Sequence, residues 1–414
     1  MTLPLLEAAL IVKDEAADLP GCLAALDGLR PLLHRVVVLD TGSTDGTVEL
    51  ARAAGAHVIE GGWEGDFSRA RNVALAAVRA RWVLIVDADE RVRADVGRLE
   101  AALDDALRHG GEAVVVPLVN LGPDGGELYA APQIRIFRPD RAHYAGRLHE
   151  RVEARRRGGR PLALASQPRD VVHVRHLGYA APEVVAAKAA RNLALVDEDL
   201  AAARVAPDDP LALARALYHR GRTLVTAGQV LTAVTDLEQL RALPPGPPER
   251  VWGGDVLAQL LLALGRWDDL AEVIEQLRAE GVDGRWCDWL LAQSYLTRER
   301  FAEALPLLRG VDRLVDAVGR DHDLAPAVQA QLIAAGRVGE VDEAAACCIR
   351  LMAGMGRVDG LGPLLLTLWG ARPAGWLAEL LTGADAAGHL ARVAEELRRC
   401  PAPGPEVAAA LLPA

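Results

Sequence analysis

An α/β domain with a doubly wound sheet, followed by an all-helical half, is the fold class that the 414-residue sequence predicts. Three observations carry it. Through about residue 120, short β-branched runs alternate with amphipathic stretches, the rhythm of strand–helix repeats in a parallel sheet. Two of those runs, RVVVLD (35–40) and WVLIVD (82–87), are apolar without alternation, as strands covered by helices on both faces are. From Pro182 onward Ala and Leu recur at helical spacing, and no convincing strand is expected.

Taken in order, Ala8 to Val12, Arg35 to Asp40, His57 to Glu60, Trp82 to Asp87 and Ala113 to Leu121 read as strands. Asp18 to Leu29 reads as a helix, with Asp18 as its cap and Pro20 in its first turn. Asp45 to Ala54 reads as another, stopped by Gly55. After residue 125, QIRIF (133–137) and Asp170 to His176 alternate like an antiparallel extension and a closing strand. The α/β domain is therefore expected over 1–179 and the helical one over 180–414. In the helical half, turns at 224–230, 262–268, 296–302 and 333–340 place Gly228, Gly265, Arg300 and Gly336 35 to 37 residues apart. That interval is near the period of tetratricopeptide (TPR) arrays, so a degenerate stack of helical hairpins is expected.

Composition narrows the function. With 57 acidic against 46 basic residues and a net charge of -11, the chain lacks the basic surface that nucleic acid requires. Its five cysteines show no C-x-x-C spacing, which argues against a zinc site or a disulfide framework and for a reducing compartment. The opening MTLPLLEAALIVKDE has no basic n-region, and no apolar run approaches the roughly 20 residues of a membrane span. A cytoplasmic protein is the expectation.

In a doubly wound sheet, ligands bind beyond the carboxyl ends of the strands. Three polar segments fall there: Lys13-Asp14-Glu15, DTGSTDG (40–46) and Asp87-Ala88-Asp89-Glu90. Asp40 is placed to accept hydrogen bonds from a base or ribose, although the same segment also reads as an ordinary capped turn. Asp87 and Asp89, at i and i+2 after a buried strand, can face one opening and share a hard cation, Mn2+ or Mg2+. Such a cation would bridge the diphosphate of a nucleotide-sugar; the competing reading is a solvated acidic turn. Arg69, Arg71 and Asn72, in DFSRARN (66–72), offer charge and donors for phosphate, or else belong to a solvated helix face. Arg155, Arg156, Arg157 and Arg160 around Gly158-Gly159 read as a solvated charged turn.

The segments IVKDE, VVVLDTGSTDGTVELA, DFSRARNVAL and WVLIVDADERV, in this order, resemble family-two glycosyltransferases of the GT-A (nucleotide-diphospho-sugar transferase) fold. RIFRPDRAHYAGRLHERV resembles that family's acceptor-side segment, with Arg135, Phe137, His149 and Glu150 at its marked positions. HVRHLGYAAPEVVAAKAARNLALVDEDL resembles the linker of bacterial members that append TPR-like helices, among them the sublancin-type peptide S-glycosyltransferases. The resemblance implies that Asp40 contacts uracil or ribose, that Lys13, Glu15, Arg69, Arg71, Asn72, Asp87, Ala88 and Asp89 surround the nucleotide-sugar, and that Asp89, Asp87 and His176 hold the metal. An inverting reaction needs a general base beside the acceptor, with Glu150 the first choice and His149 the second. That acceptor-side pattern lacks the E-D dipeptide that many relatives use as base.

Three functional readings follow. In the first, a hexose or N-acetylhexosamine passes from a UDP-sugar to a peptide or protein Cys, Ser or Thr side chain, with the helical half gripping the acceptor or forming a homodimer. The second keeps the donor and takes a saccharide or lipid-linked acceptor. The third is a silent nucleotide-binding scaffold, which an intact Asp87-Ala88-Asp89 disfavours.

Overall fold

A computed structural model of the chain describes residues 3–122, 125–148, 150–155, 160–177, 182–205, 210–385 and 388–412, with the backbone alone over 182–189 and at 210. The chain divides into two compact units, residues 1–244 and 245–414.

The first unit opens with β1 (Leu6–Val12), α1 (Leu19–Asp27), β2 (Leu33–Asp40), α2 (Thr47–Ala53), β3 (His57–Glu60), α3 (Phe67–Ala76) and β4 (Trp82–Ile85). There follow β5 (Glu90–Ala94), α4 (Val96–Arg108), β6 (Ala113–Leu121), β7 (Glu127–Phe137), β8 (Ala142–Ala145), β9 (Arg151–Ala154), β10 (Leu164–Ser166) and β11 (Val172–His176). The main sheet runs β3-β2-β1-β4-β7-β6-β11-β5, with β10 beside β6. β3, β2, β1 and β4 are parallel, whereas β7 is antiparallel to both β4 and β6. This mixed sheet is the expected GT-A architecture, with β8 and β9 in a separate hairpin.

Two apolar layers explain why the central strands lack alternation. Leu6, Ala8 and Leu10 of β1 and Leu84 of β4 point to a core filled by Leu19, Cys22 and Leu26 of α1 and Leu99 and Leu103 of α4. Ala9, Val37, Val83 and Ile85 point the other way, to Ala70, Ala74 and Leu75 of α3, Phe137 and Tyr144. Both faces are therefore dry.

Some local signals worked otherwise than expected. Asp18 makes no capping hydrogen bond to α1 and faces Arg91 at 3.6 Å instead. Asp66 does cap α3, accepting from the Arg69 amide at 2.9 Å. The strand from Trp82 stops at Ile85, which leaves Asp87 and Asp89 on a turn before β5.

Three helices complete this unit: α5 (Pro182–Arg204), α6 (Pro210–Thr226) and α7 (Val230–Arg241). The expected division at 179/180 lies outside the described residues, as do Arg156, Arg157, Gly158 and Gly159. Strand gives way to helix between His176 and Pro182, yet the compact unit runs on to residue 244. Side chains of α5 tie it to the sheet domain: Arg147 pairs with Glu198 at 2.7 Å, and Leu195 and Val196 are buried.

The second unit stacks α8 (Pro248–Leu264) on α9 (Trp267–Ala279), α10 (Gly284–Thr297) on α11 (Phe301–Leu308), and α12 (Ala325–Val338) on α13 (Val341–Ile349), with four further helices at 361–369, 374–384, 390–398 and 404–411. The hairpins reverse where expected, but through left-handed Gly265 (φ 70°), Glu299 (φ 56°) and Gly339 (φ 95°). Gly336, expected at a turn, lies inside α12, where a Cβ would meet Leu368 at 2.9 Å, so it serves close helix approach. The expectation of no strand also needs correction. Leu314–Val315 pairs with Asp321–His322 because the Asp316 carboxylate accepts the amides of Val318 (3.0 Å) and Arg320 (2.8 Å), folding the chain into a turn. No described helix is long and apolar enough to cross a membrane.

Candidate active site

The carboxyl ends of β1, β2 and β4 share one edge, because Val12 stands opposite Asp40 and Ala9 opposite Ile85. A cleft of about 570 Å³ opens there. It is lined by Lys13, Glu15, Arg71, Asp87, Ala88, Asp89, Glu150 and His176, eight of the expected site residues from five separate segments.

The first two loops lock together. Asp14, at φ 53°, is left-handed; its amide donates to Ser43 Oγ at 2.8 Å, and the Thr44 amide donates back to Asp14 Oδ1 at 2.7 Å. The Glu15 amide donates to Thr47 Oγ1 at 2.8 Å. The hydroxyls of DTGSTDG thus stitch loops rather than stand open to a ligand. Asp40 is different. Its Oδ2 accepts the amides of Gly42 (2.9 Å) and Ser43 (3.0 Å), while Oδ1 is buried without a partner. An orphaned buried carboxylate oxygen is costly, and a ligand N–H or O–H would relieve it.

Arg71 organises the opposite wall. Its Nε donates to Glu150 Oε1 at 2.6 Å and its Nη2 to Asp87 Oδ1 at 2.9 Å, with the guanidinium 5.4 Å from the Tyr144 ring centroid. Arg135 stands 3.7 Å from Asp87 and pairs with the buried Glu90. Burial works against charge on Asp87, but Arg71 and Arg135 outweigh it and hold its carboxyl down at about 2. For Glu90 burial wins over Arg135, and Asp87's charge adds to it, so its carboxyl rises to about 7. Glu90 Oε2 accepts the Asp87 amide at 2.9 Å, which fixes the turn that carries both aspartates.

Asp89 meets His176, whose Nε2 lies 3.3 Å from Asp89 Oδ2. The register explains this: His176 stands opposite Glu90 in β5 and Asn120 in β6. Its Nδ1 contacts Asn120 Oδ1 at 2.8 Å, orienting the ring. Hydrogen bonding to Asp89 raises the imidazole's pKa, against partial burial. Among the described residues no group of three or more His, Cys, Asp or Glu side chains converges as a metal cage. The expected metal set is brought together in part: Asp89 and His176 offer oxygen and nitrogen side by side, while Asp87 is engaged by guanidinium.

Two expected donor residues lie elsewhere. Asn72 Nδ2 donates to the Tyr144 carbonyl at 2.9 Å and its Oδ1 accepts the Tyr144 amide at 3.0 Å, so it staples α3 to β8. Arg69 is exposed and pairs with Glu64 at 2.6 Å. Both line a separate shallow depression. On a helix, successive residues turn by about 100°, so Arg71 faces the cleft while Asn72 does not. His149 lies outside the described residues. Trp63, Phe67, Arg191 and Asn192 also line the cleft, and no motif in the sequence marks them as site residues. The Trp63 and Phe67 rings meet edge to face with centroids 4.6 Å apart.

The family model "Glycosyl transferase family 2" matches residues 8–160. The chain is 30% identical over 308 residues to a TPR repeat-containing protein of Synechococcus elongatus, covering 70% of each chain. It is 26% identical over 230 residues to the SPbeta prophage-derived glycosyltransferase SunS of Bacillus subtilis, over 53% of this chain and 49% of that one. The crystal structure of S. aureus TarS 1-349 with UDP-GlcNAc aligns at 15% identity over 72% of this chain and 92% of that chain, with a TM-score of 0.36. On the matched segment and on a relative that it follows over two thirds of its length, the chain belongs to glycosyl transferase family 2.

Proposed function

We propose that the chain transfers a hexose or N-acetylhexosamine from a UDP-sugar to an acceptor nucleophile with inversion. The observation that carries the reading is the buried, unpartnered Oδ1 of Asp40 at the strand edge where the cleft gathers Asp87, Asp89, Glu150 and His176. Asp40 accepts the N3–H of uracil or a ribose hydroxyl, which fills the vacancy on that oxygen. Asp89 and His176 hold Mn2+ or Mg2+, which when bound neutralises charge gathering on the diphosphate. Glu150, oriented by Arg71, removes the acceptor's proton as the sugar carbon is attacked from the face opposite the nucleotide.

The acceptor is a Cys, Ser or Thr side chain of a peptide, and the similarity to the glycosyltransferase SunS over 230 residues supports the transfer itself. The donor, metal and base residues named above fall in 1–179, the catalytic domain of this reading, and the helical remainder presents surface for the acceptor or a second copy. The five cysteines are free, as a cytoplasmic location would have them.

The test is incubation with a panel of nucleotide-sugars and Mn2+. Slow donor hydrolysis abolished by EDTA supports the reading and identifies the sugar. Neither hydrolysis nor nucleotide binding from any donor would remove it.

A further inference from the structure

Carboxylates crowd the cleft, and Lys13 is the cation that stands on its β1 side. Asp14, Glu15, Asp87, Asp89 and Glu150 all line it, and its buried arginine, Arg71, is spent on Asp87 and Glu150. A diphosphate entering among those carboxylates meets repulsion unless a cation faces it.

Arg191 of α5 adds such a cation from the helical side, beside Lys13 and the divalent ion of the proposed donor site. It lies on the cleft wall, outside the stretch that the family model matches. Its guanidinium sits 5.4 Å from the Phe67 ring centroid. Nε and Nη2 donate to Asn192 Oδ1 at 3.1 and 3.0 Å, so one face and one edge are held in place. Among the described residues no carboxylate pairs with it, and partial burial lowers its pKa with no acid pulling the other way. Asn192 occupies two of the five guanidinium N–H donors, which leaves a pair for a bidentate phosphate contact.

We propose that Arg191 binds the diphosphate of the nucleotide and stabilises it as the departing group, so that the first helix of the helical half is part of the donor site. The inference rests on the reading of the cleft as a nucleotide-sugar site. Phosphate on the acceptor would present the same chemistry, and the test separates the two sources.

Full-length wild type, Arg191→Gln and Arg191→Lys are titrated calorimetrically, with Mn2+, against UDP, dTDP and GDP and against the corresponding nucleosides. Arg191→Gln weakens the preferred diphosphate by about 10- to 100-fold, the size of a charge-assisted contact, and leaves its nucleoside within about twofold. Arg191→Lys restores part of the loss. Retained nucleoside affinity shows that each variant is folded. Equal weakening of diphosphate and nucleoside, or none, overturns the assignment, as does unchanged diphosphate affinity with only acceptor KM raised. If wild type binds none of the nucleotides, the donor reading falls with it; if wild type binds and Arg191→Gln binds equally well, only the role of Arg191 falls.

Discussion

Replacing Arg71 by Met removes the guanidinium that pairs with both Glu150 and Asp87 in the cleft. The arginine side chain is 10% exposed, Glu150 15% and Asp87 35%, so the change strands two partly buried carboxylates. Taking one partner from a buried pair costs about 3–5 kcal/mol. Asp87 keeps Arg135 at 3.7 Å and some water, which puts the cost near the lower end, about 3 kcal/mol. At about 2–4 °C per kcal/mol for a domain of this size, the unfolding midpoint of the first unit should fall by about 6–12 °C in scanning calorimetry at pH 7.5. The pH dependence has a definite sign. Asp87 has a depressed folded pKa of about 2, so its contribution is complete above the ordinary carboxylate range and is lost as pH falls toward that value. The gap between Arg71→Met and wild type should therefore narrow in acid. Adding Glu150→Gln to Arg71→Met should recover part of the loss, with a coupling of about 1–3 kcal/mol. A midpoint within about 2 °C of wild type at pH 7.5 would refute the idea that this guanidinium holds the cleft together.

If Glu150 is the base, Glu150→Gln should slow transfer by about 10²- to 10⁴-fold with donor KM nearly unchanged, and a matching loss in donor binding would make the residue structural. Asp255, 3% exposed in the second unit, has its carboxyl raised by burial, against the hydrogen bond from Trp286, and further by Asp316. Its neutral form is favoured by folding, so stability should fall as pH rises from the ordinary carboxylate value through the raised one. Asp255→Asn should flatten the plot of urea midpoint against pH for that unit; an unchanged slope would put the titration elsewhere.

The cleft's donor side was readable because its residues follow short apolar strands. β1, β2 and β4 are buried on both faces, so Asp40, Asp87 and Asp89 stand out as polar residues where an apolar run ends. His176 entered only through the family resemblance, and its place beside Asp89 depends on register, which is set by pairing to β5 and β6. Arg69, Arg71 and Asn72 share one motif, but the side each faces is fixed by where α3 packs, and only Arg71 turns inward. Phe67 meets Arg191 from more than a hundred positions away in the sequence, and no local pattern marks such an approach. The 90–108 segment, rich in Arg, Asp and Glu, hid β5, whose antiparallel partner β11 lies some eighty residues on. In the helical half the reversals were legible as a repeat of apolar run, turn and apolar run. Gly336 misled because a glycine at a helix crossing and one at a turn look alike in sequence, and only Leu368 against its Cα distinguishes them.

A nucleotide bound with a divalent cation at Asp89 and His176 is open to calorimetric titration of UDP with and without Mn2+, on wild type and Asp89→Asn. Wild type should bind UDP at least about tenfold more tightly with Mn2+, and Asp89→Asn should lose that increment while keeping the metal-free affinity. An equal Mn2+ increment in Asp89→Asn, or no effect of Mn2+ on wild type, would rule out a cation held at Asp89 and His176.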